Sequence, residues 1–310
     1  MAASRWALPA GLLAGTILDA ALADPRRGHP VAAFGQLAGA LEAQLWADNR
    51  RSGIVFGAAL VGSTALAGLA VSGLARRPFA AFATTAVGTW AVLGGTSLIR
   101  EGVRMRSLLE ADDLAGARTR LSHLCGRDAT ELGPGELSRA TVESIAENTS
   151  DAVVAPLFWG AVAGLPGLLA YRAINTLDAM VGHRSPRYAR FGWAAAKLDD
   201  VANWVPARVT GLLAVLLSFA VGGRPRSALL AMIRDGRQHP SPNAGQCEAA
   251  FAGALGIRLG GANRYGDRVE VRGVLGRGRE PRVQDIGRAV RLSRLIGISA
   301  AVGFALVAFL

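Results

Sequence analysis

Charge is scarce in this 310-residue chain: Asp, Glu, Lys and Arg make up 18% of it, against roughly 25% in soluble globular proteins. With 51% hydrophobic residues, that shortfall argues against an ordinary soluble domain and for an integral membrane protein. Lysine is nearly missing. Lys197 is the single lysine among 34 basic residues, a bias that a GC-rich genome explains. The two cysteines, Cys125 and Cys247, exclude a disulfide framework, and neither stands in a CxxC or His-spaced pattern. The histidines, His29, His123, His183 and His239, lack zinc-ligand spacing. Also absent are the GxxxxGK[ST] phosphate loop, a GxGxxG after a strand, and the G-x-S-x-G elbow. Any use of ATP therefore lies outside those frameworks. The net charge is +11, but no nucleic-acid-binding signature accompanies it. The arginines flank apolar segments, as expected beside membrane spans, so nucleic acid is not an expected partner and the lipid bilayer is.

What is present is a series of apolar segments. Gly53 to Ala75 holds 23 residues without a charge, and Pro78 to Ile99 follows after the turn Arg76-Arg77-Pro78. At about 1.5 Å per residue, each can cross roughly 30 Å of hydrocarbon. Shorter or broken candidates are Trp6 to Ala23, Val153 to Ala170, Val209 to Val221 and Leu295 to Leu310. The first resembles a signal peptide, but Asp19 interrupts it and an uncleaved helix is expected. The fold class is all-α: a polytopic membrane helical bundle in a single integral membrane domain, 1–310. Residues 100–152 and 223–293 are expected as polar loop regions at the active-site face, with amphipathic surface helices near 100–140 and a short hairpin around Val269 to Val274. If all six segments cross, loop 171–202 falls on the face opposite the other polar loops. Val153 to Ala170 carries Pro156, Gly160, Gly164, Pro166 and Gly167, and Val209 to Val221 is short. Both are expected to fall short of a full crossing, which brings the polar loops to one face. That face is expected to be the cytoplasmic side of a multi-pass cell-membrane protein.

Between the apolar segments lie dense polar strings, which are functional candidates in such company. Glu143, Glu147 and Asp151 fall on one helical stripe, with Asn148 beside it. Three carboxylates on one face call for a cation, and carboxylate oxygens with phosphate and water are the ligands of Mg²⁺. Asn175, Asp178, Asp199, Asp200 and Asn203 have the same character. Lys197 can hold a phosphate as a point charge and Arg208 bidentately. Asp24-Pro25 and His29-Pro30 follow the first apolar segment, and His239-Pro240-Ser241-Pro242-Asn243 repeats the His-Pro pair. Proline-set turns suit holding His and Asn side chains toward a ligand.

Four strings carry a resemblance in order: LDAALADPRRGHPVAAFGQL (18–37), ATVESIAENTSDAVVAPLFWGAVAGLPGLLAYRAINTLDAMVGHR (140–184), FGWAAAKLDDVANWVPARVTGLL (191–213) and DGRQHPSPNAGQCEAAFAGALGIRLGG (235–261). They resemble the integral-membrane adenosylcobinamide-phosphate synthases of cobalamin biosynthesis, the CobD/CbiB type. The resemblance implies an ATP-dependent ligase joining a carboxylate of the corrinoid adenosylcobyric acid to aminopropanol or aminopropanol phosphate. It implies Mg²⁺ and ATP, and leaves room for other cobalamin-pathway enzymes as partners. The residues expected to serve are Glu147, Asp151 and His239 in catalysis, and Glu143, Glu147, Asp151, Asp199 and Asp200 for the metal. Lys197, Arg208, Arg184, Asn148, Asn175, Asp178, Asn203, Ser241, Asn243, His29 and Asp24 are expected to bind substrate or phosphate. Arg277 stands where the family pattern has an acidic residue, which keeps the C-terminal region out of the metal set. The competing readings are a membrane transporter and an accessory or signalling protein on the same scaffold.

Overall fold

Proline and side-chain caps decide where many of the helices begin. In a computed structural model that describes residues 5–25, 28–183, 185–265 and 268–310, Pro30, Pro78, Pro134 and Pro225 each occupy a first helical position. A missing N–H costs nothing there. Asn49 caps the longest early helix by accepting the Ser52 N–H at 2.9 Å. The helices are α1 (Ala7–Leu22), α2 (Pro30–Leu45), α3 (Arg50–Leu74), α4 (Pro78–Val92), α5 (Gly95–Glu110), α6 (Leu114–Leu121), α7 (Pro134–Thr149), α8 (Ala155–Leu177), α9 (Trp193–Ala202), α10 (Trp204–Leu217), α11 (Pro225–Asp235), α12 (Ala244–Leu255) and α13 (Val283–Phe309). The strands β1 (Leu259–Tyr265) and β2 (Arg268–Leu275) pair antiparallel, where the hairpin is expected. The chain is a polytopic helical membrane protein with almost no strand.

The chain forms two compact units, each woven from separate stretches. The first comprises residues 1–94, 155–203 and 300–310. There α1 packs on α4 and α3 on α8, around buried Phe56, Leu60, Leu177, Val181 and Phe191. Glu42 of α2 accepts hydrogen bonds from Arg187 and Tyr188, both at 2.9 Å, and so fastens the segment before α9. The second unit comprises residues 95–154 and 204–299. Its centre is α12, packed against α10, α11 and α7, with Cys247, Ala249, Ala250, Phe251 and Ala252 buried.

Helices run through both regions expected as polar loop regions and through both segments expected to fall short. α5, α6 and α7 occupy much of 100–152, where amphipathic helices are expected near 100–140, and α11, α12, the hairpin and the start of α13 occupy much of 223–293. Both fall in the second unit. The segments expected to fall short both lie in helical stretches long and apolar enough to cross, Pro134–Gly182 and Trp204–Val221. The other three are Arg50–Leu74, Pro78–Glu110 and Val283–Phe309, whereas Ala7–Leu22 is shorter. The reason is length recruited from outside the apolar core, such as Trp204 to Arg208. The expected break in Val153 to Ala170 does exist. Gly164 adopts φ 62° and ψ −151° two residues before Pro166, a conformation glycine alone takes at no steric cost. Likewise the Pro78 to Ile99 segment is interrupted, with α4 ending at Val92 and α5 beginning at Gly95.

Candidate active site

The turn before α12 is built by its own polar residues. Ser241 Oγ accepts the N–H groups of Asn243 at 3.3 Å and Ala244 at 3.2 Å. The Ser241 N–H donates to His239 Nδ1 at 3.0 Å. Gly245 lies so close to the preceding chain that a Cβ would collide with the Gly236 carbonyl and with His239 Cβ. Asn243, buried, accepts from Arg208 Nη1 at 3.2 Å. Arg208 also donates to the Trp204 carbonyl at 2.7 Å and lies 4.3 Å from the Trp204 ring centroid. His239, Ser241, Asn243 and Arg208 are thus brought together in the second unit.

The partner of His239 escapes sequence reasoning. Its Nε2 lies 3.6 Å from Glu248 Oε1 and 2.9 Å from Arg272 Nη1. Glu248 is 0% exposed, and among the described residues neither of its carboxylate oxygens has a hydrogen-bond partner. Burial drives its carboxyl well above the usual range, and the charges of Glu143 and Glu147 push it further, against Arg272 and Arg127. The imidazole can take two arrangements. With Nδ1 accepting from the Ser241 N–H, the ring proton sits on Nε2 toward Glu248. With Nδ1–H directed at the Ser241 carbonyl, 3.3 Å away, Nε2 is an acceptor for Arg272. A signal for Glu248 was available: it is the one charged residue in the helix AGQCEAAFAGAL.

Glu143 has a different job from the one expected. Its Oε2 pairs with Arg127 at 2.6 Å with both side chains buried, and its Oε1 accepts the Gly260 N–H at 2.8 Å. Arg139 pairs with it at 3.5 Å and donates to the carbonyls of Gly260 and Ala262. Glu143 therefore fastens the hairpin to α7. Glu147 and Asp151 remain half-buried. Between them α7 passes into a π-helical turn, Ser150–Val154, a device that re-aims side chains within a helix. Asn148 donates back to the Ser144 carbonyl at 2.9 Å. Burial, reinforced by the charges of Asp151 and Glu147, raises the Cys247 thiol well above its ordinary value, and burial raises Cys125 too. Both thiols are held protonated and are poor nucleophiles.

The remaining expected residues lie in the first unit. Asp199 Oδ2 accepts from Asn203 at 3.0 Å, and Asn203 Oδ1 accepts from Tyr171 at 2.8 Å. Burial pushes the Asp199 carboxyl up to about 6, against the amides of Asn203 and Asn175 and reinforced by Asp200. Asp200 pairs with exposed Lys197 at 3.1 Å. Asp178 opens a second π-helical turn, Asp178–Gly182. His29 caps α2 by accepting the Val31 N–H at 3.1 Å, and its Nε2 lies 3.3 Å from Asp24. Arg184 falls outside the described residues. Among the described residues, no three of His, Cys, Asp and Glu form a group that could hold a metal ion. The five-carboxylate metal set is corrected accordingly: Glu143 is bound to two arginines and a backbone N–H, Asp199 to amides, and Asp200 to Lys197. Glu147 and Asp151 lie about one turn apart, at the end of α7 and in the π-helical turn that follows it.

The family model described as CobD/Cbib protein matches residues 12–293. The chain belongs to the CobD/CbiB family. Among its relatives, the "Cobalamin biosynthesis protein CobD" of Mycobacterium tuberculosis is 54% identical over 303 residues, covering 97% of this chain and 96% of its own. The proteins of that name from Geobacter metallireducens and Rhodobacter capsulatus are 45% and 42% identical, covering 82% and 91% of this chain. No solved structure matches. The HPSPNAG turn, the α7 carboxylates and Glu248 all lie within the matched span of this CobD/CbiB chain.

Proposed function

We propose that this protein acts in cobalamin biosynthesis as an ATP-dependent amide ligase. It would join a free carboxylate of adenosylcobyric acid to the amine of aminopropanol or of aminopropanol phosphate. The observation that carries the reading is His239 Nε2 placed between buried Glu248 and Arg272, within a unit that also holds Glu147, Asp151 and Arg208. A carboxylate is a poor acyl donor. ATP would convert it to an acyl phosphate, and the amine would then displace phosphate as the C–N bond forms. The amine must lose a proton in that step, and His239 Nε2 accepts it once Arg272 withdraws. Glu248 would then face the imidazolium and stabilise its charge. Arg208 would hold a phosphate by its guanidinium edge, with Asn243 keeping that edge oriented.

Mg²⁺ fits this donor set in one respect and fails in another. No all-protein cage exists among the described residues, but Mg²⁺ with a nucleotide uses only one or two carboxylates, the rest being phosphate and water. Glu147 and Asp151 would hold it, and it would neutralise phosphate charge there.

The test is turnover by detergent-purified protein given adenosylcobyric acid, ATP, Mg²⁺ and either amine, with the corrinoid followed by mass. A product heavier by the amine minus water, formed only with ATP, supports the ligase. Folded protein that forms no product with either amine, yet moves a corrinoid across vesicles, would replace it with the transporter.

A further inference from the structure

A second polar site lies away from His239, between α5 and the first half of α13. A cavity of about 620 Å³ opens there, lined by Arg106, Arg291 and Arg294 together with Val103, Val290 and Leu295. All three guanidinium groups are on exposed residues. Arg106 is paired with Glu110 at 2.8 Å, and Glu110 is the one carboxylate in the lining. Arg291 and Arg294 have neither a hydrogen bond nor an ion pair among the described residues. They sit three apart on one helix and so share a face. The cavity lining therefore carries an excess of two positive charges over an apolar floor, and among the described residues no carboxylate pairs with Arg291 or Arg294.

Their place along α13 says what would. From Leu295 to Phe309 the helix has no charged residue, and it exposes Ile298, Val302 and Leu306. Arg294 is the last charge before that stretch. In a helix long and apolar enough to cross a membrane, such a boundary lies at headgroup depth. Arg291 and Arg294 then stand at the level of lipid phosphates, with Leu295 at the level of the first acyl carbons. Basic pockets between membrane helices at this depth suit phosphate headgroups.

We propose that this cavity seats the phosphate headgroup of an anionic phospholipid, with Arg291 and Arg294 as its ligands and Leu295 against its acyl chains. The site is independent of the ligase reading.

The experiment is native mass spectrometry of the full chain in detergent, equilibrated with equal amounts of phosphatidylglycerol and phosphatidylcholine of the same chain length. Wild type and Arg100→Ala, an exposed arginine of α5 outside the cavity lining, are expected to retain phosphatidylglycerol preferentially. Arg291→Ala/Arg294→Ala is expected to lose that preference by about 10- to 30-fold, since each surface arginine contributes about a decade or less. Excess inorganic phosphate or ATP is expected to leave the adduct in place. Equal retention of the two lipids overturns the proposal, and so does an unchanged preference in the double variant. Displacement by inorganic phosphate or ATP also overturns it, and would make the cavity a site for a soluble phosphate. Should the alanine pair lose its fold, Arg291→Gln/Arg294→Gln keeps the side-chain stems and carries the same test.

Discussion

Each unit holds a buried carboxyl that its surroundings push upward, and the two are kept differently. In the first unit Asp199 is met by the amides of Asn203 and Asn175, and Tyr171 holds Asn203 in turn. In the second, Glu248 has no hydrogen bond to either oxygen and faces an imidazole at 3.6 Å. A buried polar group without a partner is costly. Asp199 is anchored through Oδ2 while its Oδ1, like both oxygens of Glu248, has no hydrogen-bond partner among the described residues, so the two carboxyls differ by one anchored oxygen. The first unit ties its carboxyl to Asn203 and through it to Tyr171, and the second sets Glu248 against the imidazole of His239.

The contrast can be broken in order of effect. The largest expected loss belongs to a fastener inside the second unit. Glu143→Ala strands Arg127 in a buried site and should cost about 3–5 kcal/mol of stability, read as a lower unfolding temperature in detergent. If it instead left stability unchanged and abolished turnover, Glu143 would belong with the reacting groups. Next come Glu147→Gln and Asp151→Asn. Each should lower amide formation by about 10²–10³-fold with unfolding temperature unchanged, whereas Asp200→Asn in the first unit should retain activity within a few-fold. Turnover of all three, measured side by side, decides whether the units differ. His239→Ala should cost about 10²-fold, and Glu248→Gln should lose less while shifting the pH profile of turnover. A Glu248→Gln profile that overlays wild type would remove Glu248 from the proton path.

The smallest effect is a pH dependence of stability. Asp199 releases its proton near 3.8 when unfolded and near 6 when folded. Between those values the folded state holds more protons, so its contribution to stability is greatest below about 3.8 and falls as pH rises to about 6. The slope is at most about 1.4 kcal/mol per pH unit. Asp199→Asn should flatten that interval in unfolding experiments at fixed salt. An unaltered slope would mean that the carboxyl is not buried as described.

Local features were legible in the sequence, and convergence was not. The hairpin, the break near Gly164 and the fixed turn at His239 follow from glycine, proline and β-branched residues in short windows. Glu143 was read as a metal ligand because its stripe is visible, while Arg127 and Gly260, 16 and 117 residues away, are not. The helical period within 100–152 is visible in the sequence, whereas α11 and α12 within 223–293 are hidden among its glycines, prolines and arginines. Glu248 is not among the residues singled out from the sequence. A lone acid among alanines is the kind of position that the cost of burying charge singles out.

The clip between Glu143 and Gly260 also sets a clock on synthesis. Arg127 is available to Glu143 almost at once, but the N–H that completes the clip leaves the ribosome 117 residues later. At about 5–20 residues per second that delay is roughly 6–25 s. For that interval α7 stands without the hairpin that seals it, and a newly inserted chain has a gap there for a chaperone or a neighbouring nascent chain to enter.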